Sequence, residues 1–244
     1  SACPPLLTSL RMVKDDWEVA QIQQAAQIAD AALVQTLPLL IPGITEIDFA
    51  TELEYRLKKL GAEALSFATI VGFGARSALP HALPGTRRLK KGDLILIDFG
   101  AVVHGYRSDM TRSYVAGKAD LLQLQLFQAV QQAQQAALKA VKAGVSASAL
   151  FAISDHVLQR SEFGRYAGPG LGHGVGLLLH RPVRVGVGQG LEDAAHGDGL
   201  HQQVGQALDA RLVGGRDGRE HQQGGEQQGL QSQGHVALLG VQLA

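Results

Sequence analysis

Residues 94–114, LILIDFGAVVHGYRSDMTRSY, place two carboxylates, Asp98 and Asp109, where an apolar sheet should reject them. Leu94, Leu96 and Asp98 alternate with Ile95, Ile97 and Phe99, so both faces of this run read as buried and the run reads as a central strand. His104-Gly105 is the expected turn of a hairpin. With those two residues as the loop, Asp98 falls opposite Thr111, and Asp109 lies two positions along on the same face. An ionised carboxylate inside a sheet costs several kcal/mol unless something offsets it, and two together also repel. A divalent metal answers both problems at once. A single Asp at a strand end is more often a turn or cap residue. Here, however, no Lys separates the two acids, and Arg107 is the only neutralising candidate before Arg112. Metal is therefore preferred to a salt bridge.

Working outward, the chain has 244 residues, 45% of them hydrophobic, enough to bury the core of one or two domains. Acidic and basic residues balance at 22 each, so no nucleic-acid partner is expected. The short basic cluster Arg87 to Lys91 lacks interleaved aromatics and ends in a turn at Gly92-Asp93, which suits a solvated loop. A lone Cys3 excludes an internal disulfide framework and fits a reducing cytoplasm. No apolar run is long enough for a membrane span and no signal pattern opens the chain, so no membrane partner is expected.

Residues 1–13, with paired prolines and no period, read as a linker remnant. Asp15 with Glu18 predicts a capped helix to about Leu37, with Trp17, Ala25, Ile28 and Ala32 on its inner side. Thr45 caps a second helix, with Ile47, Leu53, Leu57 and Leu60 facing inward and Gly61 closing it. A strand is expected over 65–73, then a loop carrying Pro80, His81 and Pro84. Spacing alone makes His81 an ordinary loop histidine. Beyond the hairpin, a third helix is predicted over 121–141 and a fourth after Ser146. The order helix, helix, strand, hairpin, helix, helix predicts an α+β fold of two related halves. In residues 168–176, GPGLGHGVG, glycine at every second position strips one face of side chains, so a close neighbour is expected against that backbone. His173 is the natural third metal ligand, and His180 follows near enough to reach the same cleft.

Three stretches, LPHALPGTRRLKKGDLILIDFG, GYRSDMTRSY and GHGVGLLLH, occur in order at compatible spacing. Together they make residues 14–180 resemble the catalytic domain of the pita-bread-fold metallopeptidases, the Xaa-Pro peptidase and methionine aminopeptidase superfamily. The Pro-His-Ala segment and the Ser-Asp-Met-Thr-Arg run resemble the Xaa-Pro dipeptidases most. The resemblance implies a curved antiparallel sheet covered by helices, in two pseudo-symmetric halves. It implies Asp98 as ligand of one metal, Asp109 as a bridge between two, and His173 as ligand of the second. His81 and His180 would hold substrate and move protons. Two divalent ions, manganese, cobalt or zinc, would activate a bridging hydroxide against the scissile carbonyl of a short proline-containing peptide. The resemblance also allows a homodimer.

The family pattern further requires a glutamate in a Glu-Pro-Gly turn and another in an Arg-x-Glu-Asp strand, and neither motif is present. Arg181 and Pro169 also depart from the pattern. Residues 181–244 contain no aromatic, Ile or Lys, while Gly and Gln fill 25 of the 64 positions, a composition that cannot build a sheet core. This segment is therefore expected to be aberrant, from a shift of reading frame near residue 181 or, alternatively, as a natural Gly/Gln-rich tail. The C-terminal half would then be incomplete and the hydrolase impaired. A non-catalytic pita-bread module that binds peptide or protein is the competing reading, and the retained Asp98, Asp109 and His173 weigh against it.

Overall fold

The His104-Gly105 turn sets the register of everything around it. A computed structural model describes residues 11, 13–79, 81–142, 144–168 and 171–178, together with the backbone of 236–239. Both turn residues have positive φ, +47° and +80°, the combination that a two-residue hairpin needs to match strand twist. Strands β1 (Ala64–Leu65), β2 (Ile70–Phe73), β3 (Leu94–Phe99), β4 (Ala101–Val103), β5 (Tyr106–Arg107), β6 (Met110–Ala116) and β7 (Val236–Leu239) form two antiparallel sheets, ordered β1-β4-β5 and β2-β3-β6-β7. Val103 pairs with Tyr106 at the turn, and Asp98 pairs with Thr111 farther down, as the two-residue loop predicts. Between β4–β5 and β3–β6 the hairpin passes from one sheet to the other. Equal numbers of residues occupy each side of that break, so the register survives it.

The strand expected over 65–73 is divided in two. Ala64 and Leu65 pair with β4, whereas Ile70 to Phe73 pair with β3. The division follows the hairpin's own break: the Ser66 amide donates to the Gly100 carbonyl at 3.0 Å, and its hydroxyl oxygen lies 2.8 Å from the Ala101 carbonyl and 2.7 Å from that of Ser108. The chain must follow both sheets to keep its polar groups satisfied.

Helix α1 (Asp16–Thr36) starts in a reciprocal capping box: the Glu18 amide donates to Asp15 and the Asp15 amide donates to Glu18. Helix α2 (Glu46–Lys59) is capped by Thr45, and Gly61 follows it at φ +106°. Ala25, Ala29, Ala32, Phe49, Leu53 and Leu57 of these helices form one core with Val71, Phe73, Ile95, Ile97 and Phe99. Helices α3 (Leu121–Ala140) and α4 (Ala147–Gln159) pack Leu126, Val130 and Leu158 against Leu94 and Val115. Leu94 shares the Asp98 face of β3, so this face is closed at its Leu94 end, while Asp98 and Thr111 are only half-buried. The predicted helix order and caps hold; two side-chain assignments do not. Trp17 and Ile47 are exposed. Trp17 lies edge-on to Tyr106, whose hydroxyl donates to Glu18, so it covers the hairpin tip instead of entering the core. Phe49 takes the inward place expected of Ile47.

Candidate metal centre

Gly100 stands opposite Asp109 at the point where the hairpin changes sheets. A Cβ there would lie 2.1 Å from the Ser108 carbonyl oxygen and 2.8 Å from the Ser66 hydroxyl, so only glycine permits this approach. Ser108 completes the stitch, its amide donating to the Ala101 carbonyl and its hydroxyl accepting from the Ala101 amide. Both serines are buried. Asp109 is thereby held just outside β6 on the face that carries Thr111 and Ser113.

The Asp109 Oδ2 atom lies 3.1 Å from Nε2 of His173, with the two side chains 22% and 18% exposed. The other ring nitrogen, Nδ1, is 3.1 Å from the Gly174 carbonyl, which can only accept, so Nδ1 carries the proton of that bond. Nε2 then faces a carboxylate oxygen, and two lone-pair acceptors at this distance require a proton or a cation between them. This donor set fits a divalent metal, since a ligating histidine typically anchors its second ring N–H on a carbonyl or carboxylate. Arg107, the competing neutraliser, instead donates to the Ser66 carbonyl. Its backbone amide donates to the Gly176 carbonyl at 2.9 Å and so ties the glycine-rich run to the hairpin.

Asp98 forms the next unit along the same face, accepting a 2.8 Å hydrogen bond from the Thr111 hydroxyl. The structure thus joins Asp109 to His173 and Asp98 to Thr111. Among the described residues, no group of three or more His, Cys, Asp or Glu side chains is placed to hold a metal. The close neighbour expected against the glycine-rich backbone is the hairpin at Gly176, whose carbonyl takes the Arg107 amide, whereas at Gly172 a Cβ would meet nothing within 4 Å among the described residues. At Gly176 it would meet only the far end of the Lys14 side chain, at 3.3 Å. His173 is reached through its side chain instead. His180 lies outside the described residues.

His81 is exposed and has φ +54°, a strained value for a non-glycine residue. Its loop leaves β2 through a 3-10 turn, Gly74–Ala78, which reverses the chain. A Cβ on Gly72 would lie 2.7 Å from the Arg76 carbonyl. Gly72 pairs with Leu96 and so shares the Asp98 face, which means the turn runs back across that face. Sequence reasoning did not find Ser66, Ser108 or Glu46, the residues that hold these segments. Nothing local marks them, because their partners lie far away in the chain.

Residues 20–202 match metallopeptidase family M24. The Xaa-Pro dipeptidase of Pyrococcus horikoshii is 36% identical over 180 residues, covering 74% of this chain and 51% of the relative. The solved prolidase from Pyrococcus furiosus superposes with a TM-score of 0.70 at 37% identity, over 72% of this chain and 52% of that one. The X-Pro aminopeptidase from Thermotoga maritima gives 0.71 at 38% identity, over 73% and 51%. The chain spans about half the length of the curated relatives it matches. With its described residues folded as in the prolidases, as an α+β pita-bread structure, the chain belongs to metallopeptidase family M24.

Proposed function

We propose that this chain derives from a metal-dependent hydrolase of Xaa-Pro dipeptides whose site is incomplete as the sequence stands. The observation that carries the reading is the Asp109–His173 contact, in which a carboxylate and an imidazole face each other across a space that calls for positive charge. Asp109 and His173 would hold one divalent ion and Asp98, with Asp109, a second; manganese, cobalt or zinc suits these donors. Such ions supply Lewis-acid activation of water and of the scissile carbonyl. The chain's own work is to fix the donors. The Ser66–Ser108 stitch sets Asp109, Gly174 sets the His173 ring, and Thr111 orients one oxygen of Asp98. His81 and His180 are assigned to the substrate, a short peptide with proline after the scissile bond. The lone Cys3 suits a reducing cytoplasm, and no helix among the described residues is long and apolar enough to cross a membrane.

The two missing glutamate motifs remove donors and the general base that the resemblance requires, so turnover should fall far below that of a complete relative. Calorimetric titration with Mn²⁺, paired with an Ala-Pro hydrolysis assay, tests both parts. Binding that disappears in Asp109→Asn, with turnover at least about a hundredfold below a complete prolidase, is expected. Full turnover would refute the impaired site, and absence of any Mn²⁺ binding would refute the metal centre.

A further inference from the structure

Glu46 is the one acidic side chain among the described residues that is fully buried, and the metal site does not use it. It is the first residue of α2, where the helix dipole favours negative charge. Its carboxylate reaches far beyond the helix. Oε1 accepts from the Phe73 amide at 3.0 Å, and Oε2 from the Gly85 amide at 3.0 Å and from Arg76 Nε at 2.9 Å. Arg76 in turn donates through Nη2 to the Leu83 carbonyl at 2.7 Å. The first amides of the helix add to this, Glu46 donating to the Arg87 carbonyl and Ile47 to that of Gly85. One carboxylate therefore ties the loop where it leaves β2, at its 3-10 turn and where it returns. Between those ties stands His81, with its backbone in the left-handed region. Strain of that kind persists only where the surroundings over-determine the conformation.

We propose that Glu46, acting with Arg76, is the positioning residue for His81: it closes the neck of the 74–85 loop and holds His81 in its left-handed conformation on the Asp98 side of the sheet. The idea rests on the reading above that His81 serves the metal-centred site. A buried carboxylate whose partners are two backbone amides and a guanidinium tolerates no loss of charge or shape without loosening those ties. Arg76 is one-third exposed, so its replacement opens no core cavity, and Arg76→Lys keeps a cation for the buried Glu46 carboxylate.

Two measurements on the full chain test this. The first is amide hydrogen exchange of residues 77–84 in Glu46→Gln, Arg76→Met and Arg76→Lys, with β3 as internal reference. Loop exchange should rise about tenfold in Glu46→Gln and Arg76→Met, and less in Arg76→Lys, while β3 stays unchanged. Unchanged loop exchange in Glu46→Gln and Arg76→Met overturns the clamp. So does an equal rise in β3, which would mark a general structural role. Should Glu46→Gln fail to fold, the two Arg76 variants decide the matter. The second is paramagnetic broadening of the His81 ring resonance by added Mn²⁺, which should be strong in the wild type and weakened in Arg76→Met. If Mn²⁺ broadens His173 but not His81 while the loop still loosens in the variants, the clamp stands and the assignment of His81 to the site falls.

Discussion

Replacing Gly100 with alanine should separate the two halves of the hairpin at the point where it supports Asp109. The added methyl would lie 2.1 Å from the Ser108 carbonyl oxygen, a backbone atom that cannot swing aside, and 2.8 Å from the Ser66 hydroxyl. Overpacking of this kind costs about 1–3 kcal/mol. Ser66 and Ser108 are both buried, so a shift that pulls their hydroxyls from their partners adds about 1–3 kcal/mol. The sum, about 4 kcal/mol, corresponds to a fall in Tm of roughly 8–16 °C for a domain of this size. Mn²⁺ affinity should fall as well, because Asp109 is the residue displaced. Thermal melts by circular dichroism, with Mn²⁺ titration of the folded variant, measure both effects. Gly172→Ala is the control: among the described residues a Cβ there meets nothing within 4 Å, and its Tm should stay within about 2 °C of wild type. If Gly100→Ala melts as close to wild type as the control does, the stitch does not hold the hairpin and the account of Asp109 is wrong.

Three further outcomes are expected. Mn²⁺ at about a hundredfold its Kd should stabilise the chain by about 2.7 kcal/mol, and a melt of Asp109→Asn should show no such gain. Burial pushes the Tyr114 hydroxyl up to about 12, against the opposing pull of Arg112. Because its pKa is higher folded than unfolded, its contribution is complete below about pH 10 and is lost as pH rises toward 12, a change of about 2–3 kcal/mol. Urea midpoints at about pH 9 and pH 11.5 should therefore separate more in wild type than in Tyr114→Phe. Finally, sequencing the gene around codon 181 should reveal an alternative frame that encodes Glu-Pro-Gly. An uninterrupted frame with no such triplet in either alternative would remove the explanation offered for residues 181–244.

Interactions that close over a few residues were legible in the chain itself. The Asp15 capping box, the Thr45 cap, the glycine after α2 and the His104-Gly105 turn are of this kind, and the turn carried the Asp98–Thr111 pairing with it because strand register propagates rigidly from a two-residue loop. Side-chain exposure was less legible. Trp17 fits the helical period of the inner face, yet its ring packs on His104 and Tyr106 at the hairpin tip and stays exposed.

By itself, then, the sequence determined the helices, the hairpin register and the conjunction of two acids on one face with a histidine downstream. The meeting of Asp109 with His173, the division of β1 and β2 between two sheets, and the bonds of Glu46 to amides 27 and 39 residues away came from the folded packing alone. The reason is range. Caps and turns are settled by atoms a few bonds apart, whereas the partners of a buried carboxylate are chosen by whichever distant amides and cations the finished packing brings to it.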